Sequence, residues 1–100
     1  MPPWLPRVVR QVRARASARR VRFTLKALRE LSSLGAGLDE DDACDVLSRL
    51  SSLHFVERLS SEASREWMYV FKPVVAGERV YLKVILRADC IVISFHEDAP

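Results

Sequence analysis

Two neighbouring apolar segments, VYLKVILR and CIVISFHE, carry polar side chains whose types could support acid–base chemistry: Tyr81, Lys83, Ser94 and His96. An imidazole exchanges a proton near neutral pH, a phenol can donate one, and an ammonium group stabilises growing negative charge. Such a set suits phosphoryl transfer on RNA without a metal. In that reaction the ribose 2′-hydroxyl attacks the adjacent phosphorus, and an acid protonates the leaving 5′-oxygen.

These polar side chains meet if the two segments form a β-hairpin with a two-residue loop at 88–89. The loop would place Tyr81 opposite His96 and Lys83 opposite Ser94, with Cβ atoms about 5 Å apart in each pair. The other face would be wholly apolar, pairing Leu86 with Ile91, Val84 with Ile93, and Leu82 with Phe95. A one-residue slip would break this apolar pairing, so the apolar face fixes the polar one. The alternative interpretation is an ordinary solvent-facing sheet surface.

Three amphipathic helices are predicted before the strands. The first begins near Pro6, the second runs from about Val21 to Leu34, and the third opens at Asp39. Their predicted buried stripes are Leu5, Val8, Val9, Val12 and Ala16; Phe23, Ala27, Leu28, Leu31 and Leu34; and Ala43, Val46, Leu47, Leu50 and Leu53. Gly35 and Gly37 supply the conformational freedom that ends the second helix.

The acidic run Asp39–Asp45 has two interpretations. Its carboxylates can cap the free N–H groups at a helix start and favour the positive end of the helix dipole. A metal site is the alternative, but no further acid or histidine stands at ligand spacing on one face. Cys44 and Cys90 also fit no metal spacing and are interpreted as buried, reduced thiols. The sequence therefore predicts no metal and no cofactor.

From Phe55 onward the apolar period changes from helical to strand-like, in the segments HFVERLS, REWMYVFK, RVYLKVILR and CIVISFHE. Helices followed by an antiparallel meander predict an α+β fold, with the N-terminal helices packed on one face of a small antiparallel sheet. We expect a single domain over residues 1–100, with a basic helical part at about 4–53 and the sheet at about 55–97. Trp67 and Tyr69 alternate with Phe71, which indicates core positions; stacking on RNA bases is the alternative.

Charge is divided unevenly along the chain. Residues 1–29 contain nine Arg or Lys and no acid, whereas residues 30–100 contain seven basic and thirteen acidic residues. This division suggests a basic face that meets a polyanion such as nucleic acid, and a solvated arginine-rich helix is the alternative. No transmembrane stretch or secretory signal is evident, so we expect a cytoplasmic protein without membrane contact.

Several segments resemble the MqsR family of toxins, within the RelE-like group of type II toxin–antitoxin systems. They are GLDEDDACDVLSRLSSLHF, then Trp67, then VYLKV and IVISF, in an order that spans roughly residues 25–97. The resemblance implies an mRNA interferase, an endoribonuclease that cleaves single-stranded mRNA and arrests translation. It also implies a cleaving site on the concave sheet face, and a cognate antitoxin through which operator DNA is bound.

The resemblance carries over residue by residue only in part. The family's tyrosine is present as Tyr81, whereas His96 stands where the family often has a lysine. The family's first-strand lysine falls at Glu57, next to Arg58, which a bulge or one-residue slide would bring into its place. The family's glutamine after the tryptophan falls at Met68.

The candidate catalytic residues are therefore Tyr81, His96 and Lys83, with Lys83 on the phosphate or, alternatively, paired with Glu57. The candidate RNA-binding residues are Arg58, Lys72, Arg79 and Arg87. Two other functions stay open: a catalytically decayed RelE-like module that binds nucleic acid or a protein partner, and a DNA-binding regulator that uses the arginine-rich helix. His54 is interpreted as structural, and the acidic run or an exposed sheet edge could contact the antitoxin.

Overall fold

The computed structural model describes residues 1–35 and 37–99, which form three helices and one sheet. The elements are α1 (Leu5–Ser17), β1 (Val21–Phe23), α2 (Leu25–Ser33), α3 (Glu40–Ser48), β2 (Phe55–Ser60), β3 (Trp67–Phe71), β4 (Val74–Val75), β5 (Glu78–Leu86) and β6 (Cys90–Glu97), with a 3-10 turn at Ser52–His54 before β2. The predicted α+β fold, helices first and sheet second, is confirmed. Across the described part of the chain, no helix has the length and apolar run that a bilayer crossing demands.

The starts of α1 and α3 follow from local chemistry. Pro6 lies in the first turn of α1, where its missing N–H would have had no helical partner. The predicted α1 stripe is confirmed, since Leu5, Val8, Val9, Val12 and Ala16 are all buried. At α3, the Asp39 carboxylate accepts from the Asp42 N–H at 2.8 Å, and the Asp42 carboxylate accepts from the Asp39 N–H at 2.9 Å. The capping interpretation of the acidic run is therefore confirmed.

The predicted start of the second helix is wrong, because Val21–Phe23 forms strand β1. This strand pairs in parallel with β6, with Val21 opposite Cys90. β-Branched and aromatic residues favour strands, and the free edge of β6 supplies backbone partners that outweigh a weak helical pattern. The helix begins only after Thr24, whose hydroxyl accepts from the Ala27 N–H at 3.1 Å.

The predicted third stripe is wrong at its end. The helix stops at Ser48, and the chain turns before a short 3-10 segment. Leu53 is consequently 93% exposed rather than buried. His54 lies in that segment, where its Nδ1 accepts from the Ser51 N–H at 3.0 Å, a local contact that fits a structural role.

The strand order is β1-β6-β5-β3-β2, and β4 pairs separately with β5. Every pairing is antiparallel except that of β1 with β6. The helices pack on one face of this sheet, where the buried strand residues are Phe71, Val80, Leu82, Val84, Cys90, Val92 and Phe95. We call the opposite side, which carries Tyr81, Lys83 and His96, the open face.

The hairpin of β5 and β6 differs from the predicted one near its tip. Its loop has three residues, 87–89, so Leu86 pairs with Cys90 and Val84 with Val92. The predicted two-residue loop and the predicted pairs Leu86–Ile91 and Val84–Ile93 are therefore wrong. A bulge at Ile93 then restores the register, and Lys83 faces Ser94. The bulge allows β6 to bury Cys90 and Val92 in the helix-side core and Phe95 after them.

Both cysteines are free and buried, which confirms that interpretation. Burial raises the pKa of the Cys90 thiol to about 12 and also raises the pKa of the Cys44 thiol. Neither sulfur is therefore ionised near neutral pH, and thiolate chemistry is not expected at either position.

Much of the N-terminal positive charge is matched within the molecule. Arg19 binds the Asp45 carboxylate at 3.0 Å, and Arg20 and Arg22 bind the two oxygens of Asp89 at 3.2 and 3.1 Å. Several N-terminal arginines therefore form ion pairs with acidic residues further along the chain, and these pairs stabilise the fold. It is weaker evidence for a polyanion partner than the bare count suggested.

Candidate active site

Tyr81 and His96 lie side by side on the open face. The register of β5 and β6 pairs them directly, as the sequence predicted. Their rings are stacked, with centroids 5.0 Å apart and planes at 11°. A phenol and an imidazole, two groups that can transfer protons, are thus presented next to each other on the open face.

The hydrogen bond of His96 decides which ring nitrogen is free. Its Nδ1 lies 2.8 Å from the backbone carbonyl oxygen of Glu97. A carbonyl oxygen only accepts, so Nδ1 must carry the hydrogen. In the neutral ring Nε2 then holds the lone pair, which equips His96 to take a proton at that nitrogen.

Lys83 stands in a row that crosses four strands of the open face. Glu57 pairs with Val70, Val70 with Lys83, and Lys83 with Ser94. Neighbouring strands are about 4.8 Å apart, so Glu57 lies about 10 Å from Lys83 in this row. Within residues 1–35 and 37–99 the two form no ion pair, which leaves the Lys83 ammonium available to an anion.

Helix α2 seals the edge of β6 just before His96. Lys26 Nζ donates to the Ser94 hydroxyl at 3.0 Å and binds the Glu30 carboxylate at 2.9 Å. Glu30 also accepts from the Phe95 N–H at 3.1 Å. Burial acts to raise the pKa of Glu30, but the hydrogen bonds of Lys26 and Phe95 and the positive charge of Lys26 outweigh it, and the pKa is lowered. Glu30 is therefore a carboxylate that holds the strand in place.

Two of the predicted RNA-binding residues lie near this pair. Arg79 is exposed, and strand alternation places it on the same face as Tyr81, two residues away. Lys72 directly follows the end of β3, and its Nζ binds the Asp98 carboxylate at 3.3 Å. Both cations therefore flank the end of the open face where Tyr81 and His96 meet.

The structure separates Arg58 from the other candidates. A bulge at Val56 does occur in β2, but it leaves Glu57 on the open face and pairs Arg58 with Tyr69 on the helix side. There the guanidinium stacks between two indole rings, 4.2 Å from the Trp4 centroid and 3.7 Å from the Trp67 centroid. The bulge therefore does not bring Arg58 into the place of Glu57, and Arg58 lies on the other side of the sheet from Tyr81, Lys83 and His96.

Trp67 and Tyr69 also lie on the helix side rather than near Tyr81. Tyr69 packs against the Trp4 ring, with centroids 5.8 Å apart, and belongs to the edge of the core. Trp67 is partly exposed but covered on one side by Arg58. The core interpretation is therefore confirmed for Tyr69, whereas it is wrong for Trp67, which is 46% exposed and lies outside the core.

Arg87 lies at the far end of the hairpin and already has a partner. It makes a two-pronged contact with Glu66, at 2.6 Å and 2.9 Å. The Arg87 guanidinium lowers the pKa of Glu66 to about 2, so the pair stays ionised at ordinary pH. An RNA phosphate at Arg87 would have to compete with this carboxylate.

Sequence reasoning missed the contribution of α2 to the site. Arg29, Glu30, Ser33 and Leu34 border a groove that His96 also lines. Only the parallel pairing of β1 with β6 brings α2 beside the end of β6, and that pairing has no local signature. The one available signal was the exposed position of Lys26 and Arg29 on a helix with an otherwise apolar stripe.

Comparison with known proteins gives the family. The model of a family described as "Motility quorum-sensing regulator, toxin of MqsA" matches residues 6–97. The chain belongs to the MqsR toxin family. One MqsR relative, the mRNA interferase toxin MqsR of Escherichia coli strain K12, is 33% identical over 88 residues, which cover 87% of this chain and 88% of the relative. The resemblance drawn from the sequence is confirmed, and the MqsR match extends into α1.

Two residues differ from the MqsR family pattern: Glu57 stands at the position of a lysine, and Met68 at the position of a glutamine. Glu57 lies on the open face in the row of Lys83, and Met68 lies opposite Ile85 on the same face. The half of the open face nearer the hairpin tip is therefore apolar around Met68, Ile85 and Ile91, which are mutual neighbours in the register. The polar half is confined to the end that carries Tyr81 and His96.

Proposed function

We propose that this MqsR-family chain is the toxin of a type II toxin–antitoxin system and an endoribonuclease that cleaves mRNA and so arrests translation. The observation that carries the proposal is the stacked Tyr81–His96 pair, with Lys83 two residues away on the face that the helices leave uncovered. The family match and the name of the relative support the same activity.

In the proposed reaction no metal takes part. His96 Nε2 accepts the proton of the ribose 2′-hydroxyl, and the 2′-oxygen attacks the neighbouring phosphorus. The bond from phosphorus to the 5′-oxygen breaks, and the Tyr81 hydroxyl protonates that oxygen. Lys83 binds the phosphate oxygens and stabilises their growing negative charge. The products are a 2′,3′-cyclic phosphate and a 5′-hydroxyl.

The proposed surroundings of the reaction follow the family. The proposed substrate is single-stranded mRNA in the cytoplasm, because an unpaired strand exposes its bases as well as its ribose and phosphate to protein side chains. A cognate antitoxin holds the toxin inactive, and operator DNA is reached only through the complex with that antitoxin.

Purified protein and a defined mRNA transcript test the proposal. We expect cleavage at discrete sites that is unchanged in EDTA, with fragments that carry 2′,3′-cyclic phosphate and 5′-hydroxyl ends. Cleavage that stops with the chelator would overturn the metal-free route, and 5′-phosphate ends would overturn attack by the 2′-hydroxyl. Expression in a bacterium should arrest growth in parallel.

The second candidate is a catalytically decayed module that binds nucleic acid or a protein. Glu57 favours it, because a carboxylate in the row of Lys83 repels phosphate. This candidate predicts an RNA complex without any cleavage, and therefore no growth arrest. The same transcript experiment separates the two functions.

Replacing Glu57 by lysine should strengthen RNA binding. The change adds two units of positive charge about 10 Å from Lys83, the residue proposed to bind the phosphate, and Coulomb's law in water converts this distance to roughly a fourfold lower KM. The gain should shrink as salt rises from 50 to 500 mM, since screening weakens exposed charges. Glu62→Lys, the same charge change in the exposed loop between β2 and β3, is the control. Equal gains from both variants would show that only net charge matters.

A further inference from the structure

A groove of about 430 Å³ adjoins the candidate site, between the second half of α2 and the end of β6. Its lining residues are Arg29, Glu30, Ser33, Leu34, His96, Glu97 and Ala99. His96 belongs both to this groove and to the stacked pair with Tyr81. The groove therefore opens directly onto the proton-transfer group, and its volume is within the range of small-ligand sites.

Arg29 is the cation of this groove that the fold does not use. Its side chain is exposed and makes no hydrogen bond or ion pair with any residue in 1–35 and 37–99, whereas its backbone carbonyl accepts from the Ser33 hydroxyl. Most other cations of the N-terminal part bind a protein group, as Lys26 binds the Glu30 carboxylate. A guanidinium that lines the same groove as the His96 imidazole, and that has no protein partner among the described residues, is well placed to bind an anion.

The acids of the groove do not cancel this charge equally. Glu30 is held by Lys26 and by the Phe95 N–H, so its charge is matched within the protein. Glu97 is exposed, and it accepts the hydrogen bond of His96 through its backbone carbonyl rather than through its carboxylate. Glu97 is thus the one lining carboxylate among the described residues that would oppose an anion in the groove.

We propose that the groove is a nucleotide subsite, in which Arg29 binds the phosphodiester next to the cleaved one and Leu34 supports the attached nucleoside. The inference rests on the proposed function, because it takes the RNA to lie across Tyr81 and His96. Single-stranded RNA offers separate phosphates and unstacked bases that suit a cation beside an apolar side chain. The strand then leaves the open face over α2.

The salt dependence of binding tests the subsite. The probe is a fully 2′-O-methyl oligoribonucleotide with the sequence that the wild type cleaves, since it lacks the attacking hydroxyl. Arg29→Gln should weaken binding roughly fivefold at low salt and reduce the slope of log K against log salt by about 0.7, the value for one lost contact to a single strand. Glu97→Gln should tighten binding.

Arg49→Gln is the matched control, because Arg49 is exposed, follows α3 and lies outside the groove. It removes the same charge and should leave the slope unchanged. Trimming the probe by one nucleotide on the side that occupies the groove should weaken the wild type but not the Arg29 variant.

The outcomes separate the two proposals. Normal cleavage by the wild type, together with equal slopes for the Arg29 and Arg49 variants, would overturn the subsite and leave the function standing. A wild type that neither binds nor cleaves RNA would overturn the proposed function and the subsite with it.

Discussion

His96→Ala is expected to slow RNA cleavage by about 10²- to 10⁴-fold, the usual contribution of a positioned proton-transfer group. The reason is geometric: His96 carries its hydrogen on Nδ1, so Nε2 is the nitrogen available to the 2′-hydroxyl. The Tyr81→Phe variant should also cleave RNA slowly, because the substitution removes the hydroxyl group while it keeps the stacked ring. Single-turnover cleavage of a defined transcript measures both rates.

The chain offers its own control, since His54 is the other of its two histidines. His54 makes a local contact with Ser51 beside β2, away from the stacked pair, so His54→Ala should cleave at the wild-type rate. The double variant of Tyr81 and His96 should be little slower than the slower single variant, because groups that act as a unit are not additive. Wild-type rates in both single variants would mean that cleavage occurs elsewhere.

The second large effect concerns stability. Phe95→Ala should lower the free energy of unfolding by about 3–5 kcal/mol, which is a large part of the 5–15 kcal/mol that holds a small domain together. The Phe95 side chain is fully buried on the helix side, opposite Leu82 and directly before His96. Urea denaturation measures the loss.

Phe95→Leu is the companion variant, because it keeps most of the apolar volume and should lose clearly less stability. Any surviving folded Phe95→Ala protein should also cleave slowly, since the strand that presents His96 loses its anchor. An unchanged urea midpoint in Phe95→Ala would contradict the described core.

The pairing of Tyr81 with His96 could be predicted from the sequence, although the hairpin that produces it could not. Alternating apolar residues indicate which residues share a face, but Ala88 and Asp89 do not specify a loop length. The loop has one residue more than predicted, and the bulge at Ile93 removes the same offset. The longer loop shifts the residue pairing by one position near the hairpin tip, and the bulge shifts it back. The pairs at the end that carries Tyr81 and His96 therefore agree with the prediction.

Contacts between distant segments account for the other errors. The sequence shows Arg58 beside Glu57, but the two indoles that enclose it come from positions 4 and 67. Likewise, the parallel pairing of β1 with β6 determines where α2 lies, and the local sequence of neither strand indicates that the two strands pair. Periodicity therefore predicted the α1 stripe, the two faces of β5 and the faces of Ser94, Phe95 and His96. The faces of Cys90, Ile91 and Val92 were predicted wrongly, and the surroundings of Arg58 and of Arg29 required the folded chain.

The stack of Trp4, Arg58 and Trp67 has a practical consequence. The protein contains two tryptophans, and both enclose the same guanidinium. Its intrinsic fluorescence therefore originates at one spot, where the segment before α1 docks on β2 and β3. Emission should report undocking of that segment directly, and it should respond little to a ligand that occupies the opposite side of the sheet.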